Sequence, residues 1–326
     1  MKLAVIGGHG HHSLLHLALA EPEIKLVAVA SDGYDNAAED YKSNAAFGSH
    51  SQYFENYERM LDEVKPDIVS VGCQYAFNAK ASKAAMERGI PVVSEKPIAN
   101  SLEELNELDK LVRGGASLVP EFTMRWIPAY IAARKVIAEG RIGKVSLVNA
   151  QKSYRFGSRP DFYKKRATYG GTIPWVAVHA IDYVRWCTGI DYVSVYGSQG
   201  NSSRPDYPEM EDNVALAFEM SDGASATITA DYLRPATAPS HGDDRLRVMG
   251  TEGYVEVRND ECHLCAQGEP EQKLPLEPVS HEQMGRDMLA SALGERNCLP
   301  WKDTFRVTEV CLKARDAADQ RRVISL

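Results

Sequence analysis

The sequence predicts a two-domain α/β protein, with a doubly wound parallel sheet in its first third and a largely antiparallel open sheet in the remainder. Three observations carry that reading. The first 120 or so residues alternate short, almost wholly apolar runs with amphipathic segments, as strands buried on both faces by helices do. Beyond about residue 122 the apolar residues recur at every second position, the period of a strand with one face on a core. At 326 residues the chain exceeds what one core comfortably fills. The boundary is placed at the change of pattern, giving domains over 1–122 and 123–326.

Each element has its own signal. Residues 3–6 are an apolar strand closed by Gly7 and Gly8, and 13–20 suit a helix. Strands follow at 24–30, 66–72, 91–94 and 117–120. Between them lie helices at 55–64, at 79–88 with Gly89 as its stop, and at 102–113. The last opens with a capping box, Ser101 to Glu104, and carries Leu102, Leu105, Leu108 and Val112 on one face. In the second domain a helix is expected at 128–138. Val214, Leu216, Phe218 and Met220 share a strand face, Ser221-Asp222-Gly223 turns the chain, and Ala226, Ile228, Ala230 and Tyr232 continue the alternation. A second hairpin joins 245–249 to 254–257, and helices over 282–293 and 303–319 finish the chain. A sheet with one open face predicts self-association, as a homodimer or homotetramer.

Composition excludes several classes. At 44% hydrophobic and 25% charged the chain is neither collagen-like, nor a disulfide scaffold, nor largely disordered. A net charge of −8 with no basic patch argues against a nucleic-acid partner, and no apolar run reaches the ~20 residues of a membrane span. Six cysteines behind an N-terminus without a secretory segment predict reduced thiols and a cytoplasmic location. Cys262 and Cys265, on an expected strand, would point to opposite faces, so no zinc site is expected there. His9, His11, His12 and His16 have no Cys, Asp or Glu among them, and are read as a ligand-contacting or solvated loop; no metal is predicted.

Chemistry concentrates in three places. Strand, glycine-rich turn and helix at residues 3–20 form a dinucleotide-binding arrangement, in which glycines admit a pyrophosphate to a helix N-terminus. The turn, Gly7-Gly8-His9-Gly10-His11-His12-Ser13, is irregular, with Gly8, His9, Gly10 and His11 as the cofactor-contacting positions. At the end of the next strand Ser31 stands where an acid usually holds the adenosine ribose, and Asp32 follows; Asp32 favours NAD, and Ser31 leaves NADP open. Ser94-Glu95-Lys96-Pro97 lies at the carboxyl end of a parallel strand, where such sheets bind ligands. His179 and Asp182 are one helical turn apart.

Glu95-Lys96-Pro97, the stretch Gly170 to Asp182, Gly140 to Val145, Asp222-Gly223 and Gly250 to Gly253 together resemble the Gfo/Idh/MocA oxidoreductase family. The resemblance runs in order from residue 2 to about 320. It implies a Rossmann domain, an α/β substrate domain, NAD or NADP, and oxidation or reduction of a sugar, glycoside or cyclitol. It implies that Lys96 contacts the nicotinamide side and the substrate hydroxyl, and that His179 is the proton acceptor and donor. Glu95, Cys73, Gln74, Tyr75, Asn78 and Arg125 match cofactor-contacting positions, and Arg166, Tyr169 and Trp175 join Lys96 and His179 on the substrate side. Two departures stand out. Asn78 occupies a usual histidine place, and Trp175 stands where many relatives carry the aspartate that orients the histidine; Asp182 is the remaining candidate for that task. The runs 159–166 and 241–245 either line the substrate pocket or are solvated loops. Two other functions stay open: glycoside cleavage through transient oxidation, and a non-catalytic nucleotide or sugar sensor.

Overall fold

The computed structural model describes residues 1–44 and 51–326, and the chain divides into two compact units. The first comprises Met1–Glu121, Ala167–Gly170 and Ser280–Thr308; the second comprises Phe122–Arg166, Gly171–Val279 and Glu309–Leu326.

In the first unit the chain runs β1 (Lys2–Ile6), α1 (Ser13–Ala20), β2 (Lys25–Ala30), α2 (Ala37–Ser43), β3 (Gln52–Phe54), α3 (Tyr57–Val64), β4 (Ile68–Val71), α4 (Asn78–Met86), β5 (Val92–Ser94), α5 (Leu102–Arg113) and β6 (Leu118–Pro120). The six strands are parallel, in the order β3-β2-β1-β4-β5-β6. The apolar residues of β1, β4, β5 and β6 are buried on both faces, as the unbroken runs require. The order reverses between β1 and β4, so ligand-binding loops gather at the carboxyl ends of these strands. The expected capping box forms, Ser101 with Glu104 on α5, and Asn56 also caps α3 by accepting the Arg59 N–H at 2.8 Å. Two elements escaped prediction. Helix α2 is polar with no apolar period, and β3 is a three-residue edge strand.

The second unit carries α6 (Pro128–Ala138), β7 (Val145–Arg155), α7 (Arg166–Tyr169, shared with the first), α8 (Val178–Thr188), β8 (Tyr192–Gly200), β9 (Asn213–Met220), β10 (Ser225–Arg234), β11 (Gly242–Gly250), β12 (Gly253–Arg258), β13 (Glu261–Ala266) and β14 (Gln272–Lys273). Helix α9 (His281–Ala292) and the start of α10 (Trp301–Gln320) belong to the first unit, and the end of α10 and β15 (Ile324–Ser325) to the second. Nine strands form one sheet, β14-β13-β12-β11-β7-β10-β9-β8-β15, antiparallel except for β7 against β10. Helix α8 covers one face, where Tyr183 donates to the carbonyls of Gln151 and Arg245 at 2.9 and 3.0 Å. The other face alternates out of the core and exposes Leu147, Tyr196, Thr227 and Leu233. On β13 Cys262 is buried and Cys265 half-exposed, which is the divergence the strand period predicts.

Two segments beyond residue 122 cluster with the first unit, Ala167–Gly170 and Ser280–Thr308. Residues 280–308 return to the first unit because α9 buries Met284, Met288 and Ala292, and it crosses α1 so closely that a Cβ on Gly285 would lie 3.0 Å from that of Leu17.

Candidate active site

The glycine turn after β1 is shaped by its neighbours. Gly10 has φ +94°, and a Cβ there would fall on the Glu95 carboxylate, so only glycine fits. His12 takes the left-handed conformation (φ 46°, ψ 53°) ahead of α1, and its side chain makes no capping hydrogen bond. Its ring is buried, with Nδ1 3.0 Å from Ser70 Oγ, and burial pushes the imidazole down to about 4, so it is neutral at pH 7. The His9 N–H donates to Gly72 O at 2.8 Å.

Three acids and bases that are far apart in sequence meet beside this turn. The His11 N–H and its ring Nδ1 both lie 2.7 Å from Glu95 Oε2, while the Lys96 N–H donates to Glu95 Oε1 at 2.8 Å and Lys96 Nζ is 3.9 Å from it. Ser13, the first residue of α1, donates its N–H and Oγ to Glu121 at 3.0 and 2.9 Å. Glu95, Lys96 and Glu121 are all buried. Burial alone would raise the Glu95 carboxyl, but the charges of His11 and Lys96 more than offset it and hold it well below its ordinary range. Glu121 is pushed up to about 7, first by burial and then by the charge on Glu95. Donor atoms of His11, Glu95 and Glu121 lie within 4.8 Å of one another, a set with the chemistry to hold a divalent cation; Glu95 already faces His11 and Lys96. Glu121 was missed in the sequence, although a charged residue closing the apolar run Leu118-Val119-Pro120 was a usable signal.

The loop after β4 is tied to the one after β5. Asn78 Oδ1 accepts the Cys73 N–H at 3.0 Å, and Nδ2 donates to Glu95 O and Pro97 O, both at 3.1 Å. Asparagine at the usual histidine place thus has a positioning task. The Lys96–Pro97 peptide is cis. Cys73 is buried, which raises its thiol well above the ordinary value and keeps it protonated. Tyr75 and Tyr169 lie together, ring centroids 6.2 Å apart. Asp32 accepts the Gln74, Tyr34 and Asp35 N–H groups, and Ser31 Oγ accepts the Ala38 N–H. Strand order, the glycine that clears Glu95 and the acids after β2 fit a dinucleotide, which Gly8 to His11, Asp32 and its neighbours, and Glu95 would hold.

In the second unit His179 sits near the start of α8, buried, behind a π-helical turn over Ile173–Ala177 in which the Val178 N–H reaches Ile173 O. Such turns mark functional positions often enough to be read as signals. Thr172 anchors the turn by donating its N–H and Oγ1 to Glu211 at 3.0 and 2.6 Å. Arg166, expected on the substrate side, pairs with Glu211 and, at 3.3 Å, with Asp319. Trp175 is buried within the turn. Asp182 is fully engaged by Arg125, whose Nε donates at 3.0 Å and Nη2 at 2.5 Å, both groups buried. The sequence had put Arg125 beside a cofactor and offered Asp182 to orient His179; the structure pairs the two with each other.

The two basic runs have partners of their own. Lys164 pairs with Asp161, Arg159 lies over the Tyr163 and Tyr232 rings, His241 stacks on Tyr154, and Asp243 pairs with Arg234 and Arg245. Sequence reading missed the pair of buried Lys152 with half-buried Asp244, with Lys152 Nζ 3.4 Å from Met124 Sδ. The signal was present: Lys152 stands where the alternation Val148, Ala150 calls for an apolar residue.

Comparison with known proteins places the geometry. Residues 1–119 match the NAD-binding Rossmann-fold model of an oxidoreductase family, GFO_IDH_MocA, and residues 130–256 match the GFO/IDH/MocA C-terminal domain. The structure of an oxidoreductase from Thermotoga maritima superposes with a TM-score of 0.92 at 35% identity, covering 100% of both chains. An inositol 2-dehydrogenase of Saccharopolyspora erythraea is 28% identical over 68% of this chain and 64% of its own length, just under two thirds. The NAD-dependent scyllo-inositol 2-dehydrogenase of Bacillus subtilis is 27% identical over 77% of this chain and 71% of its own. Among the described residues no helix is long and apolar enough to cross a membrane.

Proposed function

Because the chain belongs to the GFO/IDH/MocA family of NAD-binding oxidoreductases, we propose that it moves a hydride between a nicotinamide and a hydroxyl-bearing carbon of a sugar, glycoside or cyclitol. The observation that carries the reading is Lys96: a buried lysine beside Glu95, at the carboxyl end of β5 in a doubly wound sheet. A buried ammonium is costly to hold unless paired, and Glu95 offsets that cost here. The named relatives that act on inositols support a polyhydroxylated substrate.

When bound, NAD or NADP supplies the hydride acceptor. Glycine at 8 and 10, with His9 and His11, takes the pyrophosphate. The acids after β2, with Gln74 and Tyr75, take the adenosine end. Glu95, Lys96, Asn78 and the backbone at Cys73 frame the nicotinamide end. Lys96 donates to the substrate oxygen and stabilises the negative charge that grows on it as the C–H bond breaks. His179 takes the hydroxyl proton onto a ring nitrogen, so the alcohol leaves as a carbonyl compound with one hydride and one proton removed. Arg125 acts through Asp182 to fix α8, and Tyr169, Trp175 and Arg166 shape the substrate side. The open face of the nine-stranded sheet associates with a second copy.

A panel of inositols, sugars and glycosides, monitored at the NADH absorbance with NAD and with NADP, tests this. At least one compound drives nicotinamide reduction in the wild type and none does in Lys96→Ala, which still binds NADH. Undiminished turnover by that variant sinks the assignment. Released aglycone without NADH accumulation shows transient oxidation instead, and cofactor binding with no turnover on the whole panel shows a sensor.

A further inference from the structure

We propose that Asp35 and Tyr34, rather than Ser31 and Asp32, read the adenosine half of the cofactor and select NAD over NADP. The inference rests on the NAD(P)-dependent reading above and names the residues that set its cofactor specificity.

Asp32 is already committed to its own turn. Its Oδ1 accepts two N–H groups, from Tyr34 at 2.7 Å and Asp35 at 2.9 Å, and its Oδ2 accepts the Gln74 N–H at 2.7 Å. A carboxylate oxygen has two lone pairs, so Oδ1 is saturated. The residue is only 5% exposed, and burial raises its pKa. Its task is to fold the loop between β2 and α2 onto the loop after β4. Ser31 is turned the same way, its hydroxyl accepting the Ala38 N–H of α2 at 3.4 Å.

Asp35 is differently placed. It is half-buried, and its Oδ2 accepts the Gly8 N–H at 2.8 Å, which sets the carboxylate against the first residues of the glycine turn. Oδ1 accepts the Asp32 and Ala37 N–H groups at 3.2 Å each. Each aspartate thus accepts three N–H groups and keeps one lone pair on Oδ2, but that of Asp32 is buried, whereas that of the half-buried Asp35 lies at the turn that would receive the pyrophosphate, where a ribose hydroxyl can donate. Beside it, the Tyr34 ring is 65% exposed and stacks on Phe77 with centroids 4.3 Å apart and planes at 15°. That leaves the outer face of a braced aromatic ring open to adenine. Asp32, Asp35, Glu39 and Asp40 stand along this segment against Lys42, so the 2′-phosphate of NADP would meet carboxylates.

Fluorescence titration of the full chain with NADH and with NADPH, and competition by ADP-ribose and 2′-phospho-ADP-ribose, test the proposal without turnover. The wild type binds NADH at least about a hundredfold more tightly than NADPH, and ADP-ribose competes where its 2′-phospho form does not. Asp35→Ser weakens NADH about tenfold and brings the two cofactors within a few-fold of each other. Tyr34→Leu weakens both cofactors several-fold and leaves their ratio unchanged. Asp32→Asn lowers thermal stability and weakens both cofactors alike. Equal affinity of the wild type for NADH and NADPH, or an Asp35→Ser variant with an unchanged ratio, overturns this inference alone. Failure of both dinucleotides to bind overturns the NAD(P) reading and the inference with it.

Discussion

Replacing Arg125 by methionine keeps an unbranched aliphatic stem and removes the guanidinium, which probes what the Arg125–Asp182 pair does. Both groups are buried, at 6% and 1% exposure, and the carboxylate receives contacts at 3.0, 3.2 and 2.5 Å from the one guanidinium. Without that partner Asp182 is a buried carboxylate facing an apolar side chain, a loss of about 3–5 kcal/mol. For a unit of this size that is a fall in Tm of roughly 10 °C. Removing the second charge as well, in Arg125→Met/Asp182→Leu, recovers most of the loss, because the desolvation of both ions goes with them. Thermal and urea unfolding of the two single variants and the double variant measure the coupling. A single variant costing under about 1 kcal/mol, or a double variant costing the sum of both singles, would refute the claim that the pair is desolvated and mutually dependent. The NADH affinity of Arg125→Met stays near that of the wild type if Arg125 serves Asp182, and collapses if it holds the cofactor.

Three further outcomes are expected. Glu121 has its folded pKa raised to about 7, so its contribution to stability is complete below its unfolded value near 4.5 and is lost as pH rises through 7. Glu121→Gln should match the wild type at pH 5 and exceed it by about 3 kcal/mol at pH 8, seen as a Tm difference that grows with pH. Gly10→Ala puts a Cβ onto Glu95 at φ +94°, and should cost about 1–3 kcal/mol and at least tenfold in NADH affinity; calorimetry reads both. Charge placed on the open sheet face, Leu147→Glu with Tyr196→Glu, should convert a dimer or tetramer to monomers by light scattering; an unchanged mass would remove that face as the interface.

Much of the parallel-sheet domain was legible because buried strands and their caps write themselves into short stretches: the runs at 3–6 and 68–71, the Ser101 capping box and the stop at Gly89 all form. The alternating strands at 213–220, 226–232, 245–249 and 254–257 were equally plain, whereas β7 and β8 went unread. What escaped depends on contacts between distant segments. Helix α9 belongs with α1 through its methionines and Gly285, and no local period says so. Among the candidate residues the motifs pointed to Lys96 and Glu95 in the first unit and His179 in the second, but partners came from elsewhere. Glu121 meets Ser13 across 108 residues, Asp182 turns to Arg125 across 57, and Lys152 to Asp244 across 92. The second acid after β2 went unread because Asp32 and Asp35 are both plausible ribose ligands until the burial of Asp32 and the contact of Asp35 with Gly8 are seen.

The central claim, that Lys96 serves hydride transfer at a carbinol carbon, is tested most directly by measuring NADH binding and substrate-dependent NAD reduction side by side in the wild type and Lys96→Met. The account predicts reduction on at least one polyol, a fall of about a thousandfold or more in the variant, and an NADH affinity within a few-fold of the wild type. Turnover that survives the substitution would contradict it.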